Sequence, residues 1–223
     1  MGVQIEQLQS IPYFSGLSSD ELGLVKKLVV EKQASRGELL VLEDDLPEML
    51  YYVVSGAVKV FKTSTEGKEQ IIGIARPGLT FNDVSVFDGG SNPASAAAMG
   101  PVVLYAISRD NMHFIVRDYP KVALNVATVL AGRVRHLLSL VEDLSFRHVI
   151  GRVAKILLEY AGDRQGPKSR LTQQDMAAMA GTAREVIGRS LKALEEEGTI
   201  RMDRHQIVIA DKEALAHLVE SAA

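Results

Sequence analysis

The chain has 223 residues, of which 47% are hydrophobic and 24% charged, a balance typical of a folded protein, and we expect two compact units. The absence of cysteine excludes disulfide bonds, thiol catalysis and zinc or iron–sulfur centres held by cysteine. The net charge of −3 is uneven, with 13 Lys and Arg against 17 Asp and Glu in residues 1–145 and 12 against 11 in residues 146–223, which permits a polyanionic partner for the C-terminal part.

The N-terminus offers no signal for export or lipid attachment. Residues 1–6 lack a basic start followed by an apolar run, and Glu6 does not fit a myristoylation motif. The longest nearly apolar run, residues 94–107, is shorter than the roughly 20 residues of a membrane-spanning helix and contains Gly100 and Pro101. We therefore expect a cytoplasmic protein with no membrane partner.

The first half of the chain has the pattern of a β-structure preceded by a helix. Residues 18–21 are cap-forming and open an amphipathic segment, which predicts a helix over 19–28. From residue 36 onwards, short β-branched and aromatic runs alternate with glycine-bearing turns, which predicts a jelly-roll-like antiparallel β-roll. The predicted strands are residues 39–42, 50–54, 57–61, 70–75 and 102–107.

A long amphipathic helix is predicted to begin near Pro120. Apolar residues then recur every three or four positions, close to a heptad repeat, at Val126, Leu130, Val134, Leu137, Val141 and Leu144. Such a stripe needs a surface to cover it, and we expect a second copy of the chain to do so. The predicted dimer contacts are Leu130, Val134, Leu137, Val141 and Leu144; the alternative is that the stripe packs on its own roll.

The last third of the chain reads as a winged helix-turn-helix. Helices are predicted over 149–160, 172–179 and 183–197, with a loop over 161–167 and a hairpin over 200–202 and 207–209. Thr172 with Asp175, and Thr182 with Glu185, have capping-box spacing, which places two helix starts ten residues apart. Gly181 between them suits the left-handed conformation of a sharp turn.

The second of these helices has a polar face at its beginning. Arg184, Glu185 and Arg189 lie opposite an apolar face, and the N-terminal part of such a helix reads base edges in the major groove. Arginine donates two hydrogen bonds to guanine and glutamate accepts from cytosine, so G·C pairs are the predicted targets. The alternative is an ordinary surface pair of Glu185 with Arg189, with Glu185 closing a capping box. Arg201, Arg204 and His205 near the hairpin tip favour DNA, because a wing contacts phosphates.

Together these features resemble the cyclic AMP receptor protein and fumarate-nitrate reduction regulator (CRP/FNR) family. The resemblance rests on the roll with Gly37, Gly56, Gly67 and Gly78, the long helix and the segment 184–189. It implies an α+β fold with a β-roll sensor at 1–110, a dimerisation helix at 111–145 and a DNA-binding winged helix-turn-helix at 146–223. The implied partners are a second copy, RNA polymerase and a palindrome with TGTGA-like half-sites. The implied DNA contacts are Thr172, Gln173, Thr182, Arg184, Glu185, Arg189, Arg204 and His205.

The effector site departs from the family pattern. Where cyclic-nucleotide-binding members have Gly-Glu and Arg-Ser pairs in the roll and Thr-Ser on the long helix, this chain has Asn82-Asp83, Pro93-Ala94 and Leu137-Leu138. An anionic phosphate without a cation is costly to bury, so the expected effector is an unknown small molecule other than cyclic AMP. The candidate pocket comprises Asn82, Asp83, Asn92, Pro93, Ala94, Leu137 and Leu138.

Other functions remain open at this point. A haem-based gas sensor of the same fold would need an axial ligand such as His113 or His136, and a regulator active without ligand would need none. We expect no obligatory cofactor and no metal. An oxygenase on a similar roll would need clustered His and carboxylate ligands, but residues 1–112 contain no histidine, so we expect no enzyme. A scaffold protein would bind its partner without Arg184 and Arg189.

Overall fold

The computed structural model describes residues 2–160, 171–203 and 206–221. By packing, the chain divides into two compact units, of which the first is Met1–Lys62 with Ile72–His136 and the second is Thr63–Ile71 with Leu137–Ala223. The second unit thus includes a short stretch from the N-terminal half of the chain. The functional boundaries at residues 110 and 145 stay predictions.

Two antiparallel four-stranded sheets form the predicted roll, whose fold class is confirmed. One sheet has the order β1, β8, β3, β6 and the other β2, β7, β4, β5. In the first sheet, β8 pairs with β1 from Val29 opposite Ile107 to Ala34 opposite Val102, and with β3 on its other side. The strands are β1 Val29–Ala34, β2 Leu39–Val41, β3 Met49–Ser55, β4 Val58–Thr63, β5 Glu69–Ala75, β6 Thr80–Phe81, β7 Ser95–Ala98 and β8 Val102–Ser108.

Helices cover the roll and lead out of it. Before β1 come α1 Ile5–Gln9, a 3₁₀ turn at Pro12–Phe14 and α2 Ser19–Lys26; α3 Asp83–Asp88 and α4 Arg109–Asp118 follow later in the chain, and α5 Pro120–Phe146 is the long helix. The predicted cap of α2 is confirmed, because Ser18 and Glu21 form a reciprocal capping box. The Glu21 carboxylate accepts a hydrogen bond from the Ser18 backbone N–H. This hydrogen bond holds the pKa of the Glu21 carboxyl below its usual value.

Helix α5 changes its environment along its length. Val122 and Val126 are buried in the core of the first unit and Leu130 packs against that core, so the start of the predicted stripe packs on its own roll. Further along, five apolar side chains are 39–64% exposed. These are Val134, Leu137, Leu138, Val141 and Leu144. Packing on its own roll is therefore found for the start of the stripe, including the predicted dimer contact Leu130, while dimer contact through the exposed part stays a prediction.

Among the described helices, α5 alone is long and apolar enough to cross a membrane, judged by length and composition only. The sequence analysis did not identify this property. Helix α5 carries Arg133 and Arg135 at its middle, and the Arg133 guanidinium is paired with Asp83 of the roll. A lipid-facing helix is apolar on all sides, whereas the exposed apolar residues here lie at heptad spacing. The exposed stripe is therefore better suited to a protein partner than to lipid.

The second unit contains the predicted helix-turn-helix and wing. Its elements in the C-terminal part are α6 Val149–Tyr160, α7 Gln173–Ala180, α8 Arg184–Glu196, β9 Ile200–Asp203, β10 Gln206–Ile209 and α9 Lys212–Ser221. The core between α6, α7, α8 and α9 includes Leu157, Met176, Ile187, Leu194 and Leu215. The predicted loop 161–167 and the wing residues Arg204 and His205 lie outside the described residues, and α9 was not predicted.

Candidate nucleic-acid interface

The first helix of the motif, α7, begins and ends as the sequence predicts. Thr172 Oγ1 accepts from the Asp175 backbone N–H at 3.1 Å, and the Asp175 carboxylate accepts from the Thr172 N–H at 2.8 Å. This capping box satisfies two N–H groups that the helix leaves open. The helix ends at Gly181, whose φ of 63° is left-handed, as expected for the turn.

The start of α8 corrects one prediction. Its N-cap is Ala183, which makes no side-chain cap hydrogen bond, so the predicted capping pair of Thr182 with Glu185 is wrong. The reason is the turn, because the Thr182 backbone N–H donates at 3.0 Å to Ala177 O and so belongs to the end of α7. Thr182 is half-buried at the turn, and Glu185 does not close a capping box.

The polar face of α8 is exposed at its N-terminal end. Arg184, Glu185 and Arg189 are solvent-exposed, while Ile187 and Leu191 on the other face are buried. Within the described chain, Arg184, Glu185 and Arg189 have no ion-pair partner, unlike Lys192, which pairs with Glu196 at 3.6 Å on the same helix. The alternative, a surface pair of Glu185 with Arg189, is thus not formed, and all three side chains are exposed.

Thr172 and Gln173 lie at the start of α7, the first being exposed and the second half-buried. Helix α7 packs against α8, so these two residues and the three on α8 belong to one motif. The hairpin β9–β10 confirms the wing, with Arg201 exposed on its first strand. Cations and hydroxyl groups in these places are what phosphate contacts require.

An ion cluster at the end of α5 is a feature that the sequence analysis missed. Asp143 is 8% exposed and accepts from Arg147 Nε at 2.7 Å and from Lys155 Nζ of α6. Arg147 also donates to Val219 O of α9, and Arg152 Nε donates at 2.8 Å to Ala180 O at the end of α7. These contacts connect the last turn of α5 with α6, α7 and α9, and the buried Asp143 carboxylate is paired with two cations.

In the first unit, one carboxylate oxygen of Asp83 is engaged by three side chains of its own chain. Its Oδ2 accepts from Tyr13 OH at 2.6 Å, from Arg133 Nε at 2.8 Å and from Thr80 Oγ1 at 3.3 Å. Arg133 also donates to Thr80 O. Burial, reinforced by the Asp83 carboxylate, raises the pKa of Tyr13 well above its usual value, so the phenol stays a neutral donor. The carboxylate that the resemblance assigns to an effector is therefore neutralised internally.

The other predicted effector residues are only partly assembled. Asn82 and Asn92 line one small open cavity, of about 180 Å³, together with Asp45, Glu48 and neighbouring residues of β2 and β3. Their side-chain amides donate to backbone carbonyls of the surrounding chain. Pro93 accepts from Lys62 Nζ at 3.1 Å through its carbonyl, and Ala94 is buried. Leu137 and Leu138 belong to the second unit.

The two candidate haem ligands both hydrogen-bond to the backbone of the roll through Nε2. His113 Nε2 lies 2.8 Å from Val86 O, and His136 Nε2 lies 3.1 Å from Ile72 O. A carbonyl oxygen only accepts, so each Nε2 carries the proton and the lone pair of each ring lies on Nδ1. Among the described residues, no group of three or more His, Cys, Asp or Glu is placed to hold a metal ion.

Comparison with known proteins identifies both halves of the chain. Residues 31–119 match the family "Cyclic nucleotide-binding domain", and residues 151–218 match "Crp-like helix-turn-helix domain". The chain is 34% identical over 195 residues to the "Cyclic AMP receptor protein" of Thermus thermophilus, covering 87% of this chain and 90% of that protein. It is 30% identical over 210 residues to the "CRP-like cAMP-activated global transcriptional regulator" of Mycobacterium tuberculosis, covering 91% of this chain and 94% of that protein.

Solved structures agree with the sequence matches. FixK2 from Bradyrhizobium japonicum superposes with a TM-score of 0.78 at 26% identity, covering 87% of this chain and 99% of that one. The Thermus thermophilus catabolite activator protein is 32% identical, with a TM-score of 0.55, and covers 95% of this chain and 100% of its own. Similarity of this extent over almost the whole chain, with both domain matches in the expected order, means that the chain belongs to the CRP/FNR family of helix-turn-helix transcription regulators, which are not enzymes.

Proposed function

We propose that this regulator binds DNA as a homodimer, reading a palindrome with TGTGA-like half-sites, and that its effector is not cyclic AMP. The observation that carries the proposal is the exposed trio Arg184, Glu185 and Arg189 on the first two turns of α8. Two arginines and a glutamate suit G·C pairs, since arginine recognises guanine and glutamate accepts from cytosine. A half-site such as TGTGA offers two such pairs.

The exposed part of the α5 stripe supports the homodimer. Val134, Leu137, Val141 and Leu144 leave an apolar surface at heptad spacing, and a second copy covers it by pairing the two α5 helices. A twofold dimer carries two copies of α8, which matches a palindrome whose half-sites are one helical turn, about 34 Å, apart. The proposed setting is the cytoplasm, with RNA polymerase as a further partner.

The relatives named above are described as binding or being activated by cyclic AMP, but the residues of this chain do not fit that ligand. Pro93 and Ala94, at the family's phosphate-binding pair, offer neither a guanidinium nor a hydroxyl. Arg133 is already bound to Asp83 and Thr80. An anionic phosphate here would lack its counter-charge, which makes its burial unfavourable by several kcal/mol.

Activity without any ligand is the second candidate. It is favoured by the internal network in which Tyr13, Thr80 and Arg133 satisfy Asp83, because this site needs no outside group to balance its charge. A haem sensor is the weaker alternative, since His113 and His136 both use Nε2 on backbone carbonyls.

The test is selection from a pool of random DNA duplexes, followed by affinity measurement by fluorescence anisotropy. We expect the wild-type chain to enrich an inverted repeat with TGTGA-like halves, bound with a steep salt dependence. Arg184→Ala should weaken binding about 5- to 150-fold, which corresponds to the loss of about 1–3 kcal/mol for one bidentate contact. Lys212→Ala, which removes an exposed cation outside the motif, is the control and should change affinity little. Failure to enrich any inverted repeat would refute the proposal.

A further inference from the structure

The tip of the β4–β5 hairpin, residues 63–71, belongs by packing to the same compact unit as the helix-turn-helix. Its contact there is made by Gln70, which is half-buried, whereas residues 62–68 are exposed. The Gln70 side-chain amide donates at 3.3 Å to Met179 O, in the last turn of α7, and at 3.3 Å to Ile71 O. One hydrogen of the amide group thus connects the hairpin to the motif, while the bond to Ile71 O, inside the hairpin, holds the Gln70 side chain in place.

Gln70 lies directly against the turn between α7 and α8. A Cβ atom placed on Gly181 would come within 3.0 Å of Gln70 Oε1 and 2.9 Å of Leu144 Cδ2. The turn is therefore closely packed between the hairpin and the last turns of α5. A methyl group there would push these two side-chain ends aside, and the left-handed φ favours glycine in addition.

The end of α7 is held by side chains from two distant segments. The last carbonyls of a helix have no partner within the helix and require one from elsewhere. Here Ala177 O accepts from the backbone N–H groups of Gly181 and Thr182, Met179 O accepts from Gln70, and Ala180 O accepts from Arg152. Arg152 comes from α6 within the DNA-binding region, whereas Gln70 comes from a strand of the roll.

We propose that Gln70 is a positioning residue for DNA binding: it docks the β4–β5 hairpin on the helix-turn-helix and fixes the turn from which α8 begins. This inference rests on the proposed DNA-binding function. Helix α8 starts at Arg184, three residues after Gly181, so the geometry of the turn sets the direction of its first two turns. The docked hairpin leaves Arg184, Glu185 and Arg189 exposed, and we assign DNA binding to this docked state.

The variant Gln70→Glu tests this contact with almost no change in shape. It replaces a donor by a carboxylate, which faces the Met179 carbonyl and the negative end of the α7 dipole, so the docking contact becomes repulsive. Thr65→Glu is the matched control, because it adds the same charge to the same hairpin at an exposed position that does not contact the turn. Gln70→Leu removes the donor without adding charge.

The first measurement is hydrogen exchange in the DNA-free protein. The reporters are the Gly181 and Thr182 amides, which donate to Ala177 O. We expect Gln70→Glu and Gln70→Leu to speed their exchange about 3- to 10-fold, the effect of losing one hydrogen bond, while the amides of α6 and α9 stay unchanged. Thr65→Glu should leave the reporters as in wild type. Unchanged exchange at the turn in both Gln70 variants would overturn the docking contact.

The second measurement is operator affinity at a temperature where all variants are folded. Gln70→Glu should bind the operator about 3- to 10-fold more weakly than Thr65→Glu does. Gln70→Leu should bind it about 3- to 10-fold more weakly than the wild type does. Faster exchange with unchanged or tighter DNA binding would overturn the positioning role. If the wild-type chain itself bound no palindrome, the proposed function would fail, and the positioning role would fail with it. Hydrogen exchange in the DNA-free protein would still decide whether the hairpin docks.

Discussion

Glu185 is the acidic member of the exposed trio on α8, and it makes a prediction that separates base recognition from charge attraction. Replacing it by alanine removes the acceptor for a cytosine amino group and also one negative charge next to DNA phosphates. We therefore expect Glu185→Ala to lower the preference for one C·G pair by about 1–3 kcal/mol while binding to unrelated DNA is not weakened. Affinities for the operator, for single base-pair variants and for unrelated duplexes measure this; equal weakening on all three would contradict it.

Gly181 makes a second prediction at the same scale. Gly181→Ala should destabilise the protein by about 1–2 kcal/mol, because a Cβ disfavours the left-handed φ of 63° and meets Leu144 and Gln70. The measurement is urea unfolding without DNA. Gly188→Ala is the control, because Gly188 lies inside α8 with nothing within 4 Å of the added methyl group, and should stabilise by about 0.5–1 kcal/mol. Equal effects of the two substitutions would contradict the assigned role of the turn.

Among the elements, α5 makes the clearest prediction. Val141 is 60% exposed on the apolar stripe, and Val141→Glu places like charges face to face if two α5 helices pair. We expect this variant to sediment as a monomer at micromolar concentration, where the wild type is a dimer. Thr128→Glu adds the same charge on the exposed opposite side of α5 and should remain a dimer. A monomeric wild type would contradict the predicted seam.

Elements with local signals are those that the sequence predicts correctly. The caps at Ser18 and Thr172 and the left-handed Gly181 depend on residues three or four positions apart, and all three are found. Strand β7 was missed because Ser95–Ala98 consists of poor strand formers, which are buried between β2 and β4 only once the sheet has assembled. Thr182 was assigned to the wrong helix because the conformation of the turn decides which residue precedes α8.

The same distinction applies to the candidate site. The exposed trio on α8 was predictable, because helical periodicity assigns a residue to a face. The contacts of Gln70 with Met179 and of Tyr13 with Asp83 were not, since they join residues 109 and 70 positions apart. Nothing in the local sequence around a single glutamine or tyrosine indicates such a partner.

At the scale of the whole molecule, the altered effector site predicts how the regulator responds to its family's ligand. A ligand that binds only the folded state raises the unfolding temperature. Millimolar cyclic AMP should neither raise that temperature for the wild-type chain nor change its operator affinity, because Pro93 and Ala94 provide no phosphate contact. The double variant Pro93→Arg with Ala94→Ser restores the family's pair and should gain a shift. Stabilisation of the wild type by cyclic AMP would contradict the prediction.

The position of Tyr13 has a practical consequence for dissecting this protein. The phenol that donates to Asp83 precedes the matched domain, which begins at residue 31, and Asn125 Nδ2 of α5 donates at 2.9 Å to the Tyr13 carbonyl. A fragment that began at residue 31 and kept α5 would retain the Asp83 carboxylate but lose its neutral donor and one attachment of the long helix. Ligand screens on such a truncated sensor would meet a carboxylate that lacks one of its internal donors, so hits should be verified on the intact polypeptide.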